Sequence, residues 1–449
     1  MTTISCPALF ISAIASGQGK TTVTAGLARY YRQQGKKVRV FKTGPDYLDP
    51  LILEQASGHP VEQIDLWMIG ELECQQLLSE AAQQADIILV EGVMGLFDGD
   101  PSGADLAERF NLPVATVIDA RAMAQTFGAL ASGLAHYNPR LIFAGAIANV
   151  TGSQRHRELI SQSMPCDIPL LACLPKHSDF VLPHRHLGLV RPNEIKDIEQ
   201  RLDAIAAVIA RSDLANYTIP NVNFSVAHHS EIEKANQPEN VLPLLGVQIA
   251  IASDEAFSFI YAGNLRLLSA LGAELQYFSP LHDTVLPCCD AIWLPGGYPE
   301  LYMPELHNNK TMQLSIQQHF EKNKVIYAEC GGMLYVQKSL TDLSGHTVDM
   351  LGLIAGDGVM RKKGGCQGMQ SAPLPEGEIR GHAHHHSRST NTLEAIAYGK
   401  RSKHPAPGEK IIRAKKLTAS YLHLYFPSNP EAVVKLFQGD YSPTALQNK

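Results

Sequence analysis

Charge is scarce in this chain. Only 18% of its 449 residues are Asp, Glu, Lys or Arg, against about a quarter in an average protein. The 38 basic residues are outnumbered by 44 acidic ones, for a formal net charge of −6. Without a basic excess there is no electrostatic footprint for nucleic acid, so no such partner is expected. Low charge over so long a chain predicts much buried surface and is compatible with a homo-oligomer. No C-x-x-C spacing occurs among Cys6, Cys74, Cys166, Cys173, Cys288, Cys289, Cys330 and Cys366, which excludes a zinc ribbon and a thioredoxin-type pair. Scattered thiols with no leader point to a reducing, cytoplasmic setting. No run of 18 apolar residues is present, so neither a membrane span nor a membrane partner is expected. The apolar stretch from Pro7 to Ala15 has no basic segment before it and leads straight to Lys20; it reads as a first strand, not a signal peptide.

What is present is a core. Hydrophobic residues make up 45% of the chain, enough to exclude disorder as the main state. Short β-branched runs alternate with helical stretches. Candidate strands are Leu9–Ile14, Val38–Thr43, Asp86–Glu91, Val114–Ile118, Leu141–Asn149 and Leu170–Leu174. Helical patterns cover Thr21–Gln33, Leu72–Gln84, Ala122–His136, Gln154–Ser163 and about Glu194–Arg211. Strands separated by helices require crossover connections, hence an α/β fold with a mostly parallel sheet. The pattern breaks between Tyr217 and Pro243. It resumes with strands at Gly246–Ala252, Ala273–Phe278, Ala291–Leu294 and Lys324–Glu329 and helices near Asn264–Leu271 and Thr311–Lys322. The division is therefore a first α/β domain over 1–215, a linker over 216–243 and a second α/β domain over 244–449. The stretch Gly356–Pro407, rich in Gly, Pro and His, gives no clear pattern.

The segment Ser16-Gly-Gln-Gly-Lys-Thr-Thr22 follows the first strand and opens a helix, the context a phosphate-binding P-loop requires. Gly17 and Gly19 let backbone N–H groups curl toward phosphate oxygens. Ser16, Gln18 and Thr22 complete the ATP-binding set, Lys20 reaches the β- and γ-phosphates, and the Thr21 hydroxyl can sit on Mg²⁺. The first glycine of the full pattern is replaced by Ile14. Ala15 stands where dimeric partition-type ATPases carry a Lys. Magnesium needs hard oxygen ligands. Asp46 and Asp49 follow the second strand, and Glu91 and Asp98 follow the third, where an open parallel sheet gathers its ligands. Each acid taken singly is equally readable as a helix cap or turn residue.

Ala328-Glu-Cys-Gly-Gly-Met333 places Cys330 at a strand-to-helix turn. Such a turn is expected to expose the sulfur and lower the thiol pKa, with Gly331 and Gly332 permitting the bend. Gly296 and Gly297, in Leu294-Pro-Gly-Gly-Tyr-Pro-Glu300, together with Gly331, offer N–H groups for an oxyanion. His423 is the candidate base. A lone Cys is also readable as a small core hydrophobe; the glycine pairs and the His favour the nucleophile. His382, His384, His385 and His386 invite a metal reading, but neighbouring strand residues point opposite ways and no acid lies among them. A substrate-facing or solvent loop is the expectation. Arg185, in Pro183-His-Arg-His-Leu-Gly-Leu189, could pair a carboxylate or form an ordinary ion pair.

These segments, with Phe41–Pro50, Glu91–Gly99, His186–Val190, Ser253–Phe259, Phe278–Leu281, Pro295–Leu301 and Ser420–Asn429, resemble the cobyrinate a,c-diamide synthase family. That family joins a dethiobiotin-synthetase-like ATPase domain to a triad glutamine amidotransferase domain. The resemblance implies ATP- and glutamine-dependent amidation of the a and c acetates of cobyrinic acid, a corrinoid, in cobalamin biosynthesis. It implies Cys330 and His423 as the glutaminase pair and Lys20, Thr21, Asp46 and Glu91 as phosphate and Mg²⁺ residues. Asp46, Tyr47, Asp49 and Asp98 fall on the substrate side. Hydrogenobyrinate or a nickel sirohydrochlorin would be served by the same machinery, and a nucleotide-gated regulator with an inactive amidotransferase domain is the reading from another class. The chain departs from the family at Ala383 and His384, which replace an acid and an aromatic, in the glycine-rich Lys362–Gln370, and at Tyr425, where a second His is expected. The third triad member stays unassigned.

Overall fold

The computed structural model describes residues 3–176, 184–185, 188–189, 191–226 and 242–440. The chain divides into two compact units, residues 1–230 and 231–449.

The first unit is built on β1 (Thr3–Ala13), β2 (Val38–Lys42), β3 (Glu62–Gln63), β4 (Ile87–Glu91), β5 (Val114–Asp119), β6 (Phe143–Thr151) and β7 (Leu170–Pro175). They lie in the order β3-β2-β4-β1-β5-β6-β7 and run parallel. Helices α1 (Lys20–Gln33), α2 (Asp49–Ser57), α3 (Glu71–Gln84), α4 (Gly103–Arg109), α5 (Thr126–Tyr137), α6 (Gln154–Ser163) and α7 (Ile198–Ala210) connect or follow the strands. The last six residues of β1, Ala8–Ala13, are buried without interruption. A strand covered on both faces reads as a continuous apolar run, which is why sequence pattern located it. Helix α1 lies tightly on α7: a Cβ at Gly26 would stand 2.4 Å from the Ile205 side chain, and Arg29 bonds Glu199 at 2.6 Å and Asp203 at 2.7 Å.

Two short strands, β8 (His184–Arg185) and β9 (Gly188–Leu189), form a hairpin; the Arg185 side chain and the rest of the His186–Val190 segment lie outside what is described. Inside the stretch expected to be linker, β10 (Asn221–Ser225) runs antiparallel to β1 from Thr3↔Ser225 to Pro7↔Asn221. Its alternation is the cause: Val222 and Phe224 are buried while Asn221 and Asn223 are exposed, as a half-buried strand requires. Residues 227–241 of that stretch lie outside the described ones.

The second unit has a sheet of β11 (Gln248–Ala252), β12 (Glu274–Phe278), β13 (Ala291–Leu294), β14 (Val325–Glu329), β21 (Ala395–Tyr398), β23 (Lys410–Ala414) and β24 (Leu417–Ser420). Its order is β12-β11-β13-β14-β24-β23-β21, parallel through β24 and antiparallel beyond it. Helices α8 (Ala262–Ala270), α9 (Met303–Asn308), α10 (Lys310–Glu321), α11 (Gly331–Val336) and α12 (Pro430–Gln438) accompany it. The stretch without a clear pattern holds antiparallel pairings. One four-stranded sheet joins β15 (Ser339–Thr341), β16 (Thr347–Asp349), β17 (Asp357–Met360) and β20 (Ser387–Thr390). Another joins β18 (Gly368–Leu374), β19 (Gly377–Ala383), β22 (Lys400–Arg401) and β25 (Leu422–Leu424). Among the described residues, no helix is long and apolar enough to cross a membrane.

Candidate active site

In the first unit, site residues collect at the carboxyl ends of β1, β2 and β4. The loop between β1 and α1 curls through Gly17 at φ 78° and Gly19 at φ 92°, conformations that favour glycine. The ends of two neighbouring strands clamp it. Asn149 Nδ2 donates to the Gln18 carbonyl at 2.9 Å, and the Asp119 N–H donates to Gln18 Oε1 at 2.8 Å. A Cβ at Gly19 would fall 2.2 Å from Asn149 Nδ2. Ser16 and Gly17 are exposed at the loop's crest, and Thr22 is half-buried. Lys20 is buried and its Nζ donates to the carbonyls of Ala15 at 3.2 Å and Met94 at 2.6 Å. Burial, then repulsion from Lys42, pushes its pKa down.

The loop after β4 is fastened to this turn. The Leu96 N–H donates to the Ala13 carbonyl at 2.8 Å, and Asp98, an exposed residue, accepts the Gly95 N–H at 2.9 Å. Asp98 thus closes its own turn. Thr21 Oγ1 donates toward Asp49 Oδ2 at 3.0 Å and Glu91 Oε1 at 2.9 Å. Asp46 caps the start of α2, accepting the Leu48 and Asp49 N–H groups at 3.1 and 3.2 Å. Tyr47 is buried beside it. Among the two aspartates it is therefore Asp49, expected on the substrate side, that meets Thr21.

Sequence reasoning missed Lys42. This buried lysine ends β2 and reaches Glu91 Oε1 at 2.6 Å, Asp49 Oδ2 at 3.1 Å and Asp46 Oδ2 at 3.7 Å. The available signal was a Lys at the carboxyl end of an otherwise buried strand, where charge is rare unless paired. Burial and the neighbouring Asp49 push Asp46 upward, to about 7. For Asp49 burial pushes up as well, but Lys42 and the hydrogen bonds from Asp46, Lys42 and Thr21 hold it below the usual carboxylate range. Glu91 is raised, by burial first.

The residues suit a magnesium ion. Glu91 Oε2 is buried and has no hydrogen-bond partner among the described residues, so one hard oxygen stands open. Among those residues no group of His, Cys, Asp and Glu forms an all-protein metal cage. Magnesium in nucleotide sites is instead held by one or two carboxylates together with substrate phosphates.

In the second unit, the ends of β13, β14 and β24 meet. Cys330 occupies the turn between β14 and α11 at φ 45°, ψ −98°, a strained non-glycine conformation of the kind found at nucleophile turns. Its N–H is fixed to the Ser420 carbonyl at 2.7 Å. Gly332 is required because a Cβ there would lie 2.1 Å from the Leu294 carbonyl oxygen. A Cβ on Gly331 would be 3.0 Å from the Gly297 nitrogen, and one on Gly296 only 2.1 Å from His423 Cε1. The glycine pair therefore lies between the nucleophile's turn and the imidazole. It is held by Ser258 and Phe259, whose N–H groups donate to the Gly296 carbonyl at 2.9 and 3.0 Å. Asp254 shapes that supporting loop, accepting the Ala256 and Phe257 N–H groups, the Ser279 hydroxyl and the Leu281 N–H at 2.8–3.1 Å.

The expected exposed, acidic thiol is not observed. Cys330 is only 5% exposed, and burial followed by the charge of Glu300 pushes its pKa up; desolvation outweighs the dipole of a short helix. His423 is buried in β25 and lies opposite His382. Burial and then His382 hold its pKa well below the usual value, keeping the imidazole neutral. Glu329, next to the nucleophile, binds Trp293 Nε1 at 3.1 Å, the Tyr327 hydroxyl at 2.9 Å and the Leu424 N–H at 2.8 Å. Burial raises its carboxyl to about 8. It ties the strand of His423 to the strand that leads into Cys330. Tyr425 is buried against Tyr261, with ring centroids 5.4 Å apart.

The histidine cluster is not a solvent loop. His385 is buried and stacks on Tyr421 at 4.0 Å, with ring nitrogens 3.0 Å from the Ser387 carbonyl and 3.1 Å from Glu409 Oε1. His382, His384 and His386 alternate with these, at successive ring separations of 6.1 Å.

Comparison with known proteins agrees with this layout. Residues 9–189 match the CobQ/CobB/MinD/ParA nucleotide binding domain, and residues 248–431 match the CobB/CobQ-like glutamine amidotransferase domain. The chain is 51% identical to a hydrogenobyrinate a,c-diamide synthase of Stutzerimonas stutzeri, over 98% of this chain and 100% of that one. It is 49% identical to a protein of the same name from Pseudomonas aeruginosa, over 97% and 98% of the two chains. It is 46% identical to a cobyrinate a,c-diamide synthase of Herminiimonas arsenicoxydans, over 96% of each. The chain belongs to the family of cobyrinate and hydrogenobyrinate a,c-diamide synthases.

Proposed function

We propose that this chain is a carbon–nitrogen ligase that uses ATP and glutamine to convert the a and c acetates of a corrinoid into amides. The observation that carries the reading is one chain holding two chemically complementary centres. One is a P-loop lysine with carboxylates at strand ends. The other is a strained cysteine turn set against a glycine pair and a buried histidine.

The chemistry needs both. A carboxylate resists attack by ammonia; transfer of the γ-phosphoryl group from ATP to its oxygen gives an acyl phosphate and ADP. Ammonia then attacks the carbonyl carbon, and phosphate leaves. Lys20 and the loop N–H groups would offset the charge on the transferring phosphoryl group. Thr21 with Glu91 and one of the two aspartates, Asp46 or Asp49, would hold Mg²⁺, which when bound neutralises charge on the phosphate oxygens. Lys42 keeps the facing carboxylates together.

In the second unit, His423 takes the Cys330 proton as sulfur attacks the glutamine amide carbon. The developing oxyanion would be met by N–H groups of Gly296, Gly297 and Gly331. His423 returns the proton to the leaving nitrogen, which departs as ammonia; water, activated by the same imidazole, cleaves the thioester to glutamate. Burial disfavours the charged form of both groups before glutamine enters. A cytoplasmic location accords with the free cysteines.

Two substrates fit. Cobyrinic acid was the expectation from sequence, but the relatives at 51% and 49% identity are named for hydrogenobyrinate, which favours the metal-free ring. Incubating the protein with each precursor, ATP, Mg²⁺ and glutamine, and weighing the products by mass spectrometry, tests both. Doubly amidated product from either supports the ligase; none from either rejects it.

A further inference from the structure

Three carboxylates act through space on the Cys330 thiol: Glu300 most strongly, then Glu409 and Glu329. Two are already engaged. Glu329 binds Trp293, Tyr327 and Leu424, and Glu409 binds His385. Glu300 makes no side-chain hydrogen bond or ion pair to another residue among the described ones; its own backbone amide lowers its pKa slightly against burial. It lies in the short turn Pro299–Leu301 that follows the glycine pair. That turn abuts the nucleophile, since a Cβ on Gly331 would stand 3.0 Å from Pro299 Cδ. Burial raises the Glu300 carboxyl to about 7. A carboxylate brought to a sulfur nucleophile without a cation costs free energy in the resting protein and obstructs ionisation of the thiol.

We propose that Glu300 is the residue that recognises the α-ammonium group of glutamine. The inference rests on the glutaminase reading above. Glutamine carries one cationic group, separated from the amide carbon by its aliphatic chain, so a carboxylate in the turn that abuts the nucleophile can engage it while the amide faces Cys330. The charge-assisted contact selects L-glutamine over amides that lack the amine. It also neutralises Glu300, removing the charge that most opposes thiolate formation. Substrate binding and activation of the nucleophile are thereby linked.

The test uses the whole enzyme and its Glu300→Gln and Glu300→Asp variants. Hydrolysis of L-glutamine is compared with that of glutaramate, which keeps the carboxylate and amide but lacks the amine. For a contact of this strength, the wild type should prefer glutamine in kcat/KM by about 10- to 100-fold. Glu300→Gln should raise KM for glutamine by about tenfold or more and leave KM for glutaramate unchanged, with Glu300→Asp between. An undiminished preference in Glu300→Gln overturns the assignment. Absence of glutamine hydrolysis in the wild type overturns the underlying glutaminase reading instead. Thermal unfolding establishes whether each variant is folded. Nα-acetylglutamine, tested on the wild type alone, provides an arm independent of folding: its use as efficiently as glutamine would also sink the proposal.

Discussion

Gly296→Ala is the sharpest perturbation of the glutaminase site. The added methyl carbon would lie 2.1 Å from His423 Cε1, 3.0 Å from Nδ1 and 3.2 Å from Nε2. Carbon atoms pack at about 3.5–4.0 Å, so ring and backbone must separate by more than about 1 Å. Neither has easy room. His423 is 1% exposed and packs near Phe259, with ring centroids 6.0 Å apart. The Gly296 carbonyl is strapped by two N–H groups from the loop behind it. Overpacking of this kind costs about 1–3 kcal/mol in stability, which a domain of this size can absorb. The catalytic cost is larger, because a displacement of about 1 Å at a reacting group is worth about a hundredfold in rate. The assay is the ratio of glutamine-driven to ammonium-driven amidation, measured beside the unfolding midpoint. Glutamine-driven turnover should collapse while ammonium-driven turnover persists. Undiminished glutamine hydrolysis in a folded variant would refute the placement of the imidazole against the glycine pair.

Cys330→Ser should abolish glutamine-driven amidation and leave activity with ammonium salts; parallel loss of both would reject the division of labour. Lys42→Met leaves Asp46, Asp49 and Glu91 facing one another without their cation, and breaking a buried pair costs about 3–5 kcal/mol; an unchanged denaturation midpoint would reject the pairing. His319 is buried between Cys289 Sγ at 3.7 Å and the Val325 carbonyl at 3.1 Å, and burial lowers its pKa to about 4. A depressed histidine contributes stability that is present above the ordinary value of 6.5 and lost as pH falls toward the folded pKa. That amounts to about 2 kcal/mol between pH 7 and 5. Urea titrations of the wild type and His319→Asn should therefore converge on acidification, and parallel curves would contradict it.

The parallel strands were the most legible part of the fold, because burial on both faces leaves apolar runs such as Ile87–Val90 and Val325–Ala328. The antiparallel strands between Asp357 and Arg401 were not, since glycine, proline and histidine interrupt their alternation and long-range pairing fixes their register. The glycine turns around Lys20 and Cys330 announced themselves by spacing. Lys42 did not: its place is set by three carboxylates, from the β2–α2 connection, the start of α2 and the end of β4, that only the folded sheet brings together. The thiol's direction was misjudged because sequence shows a helix start but not the depth of burial around it.

The pairing of Asn221–Ser225 with Thr3–Pro7 has a practical consequence. A fragment cut at residue 215 would strip the leading half of the central strand of its neighbour, and Cys6 with Pro7 would border an open hydrogen-bonding edge. Such edges recruit other chains. The front half is expected to stay monodisperse only when the cut falls after Ser225.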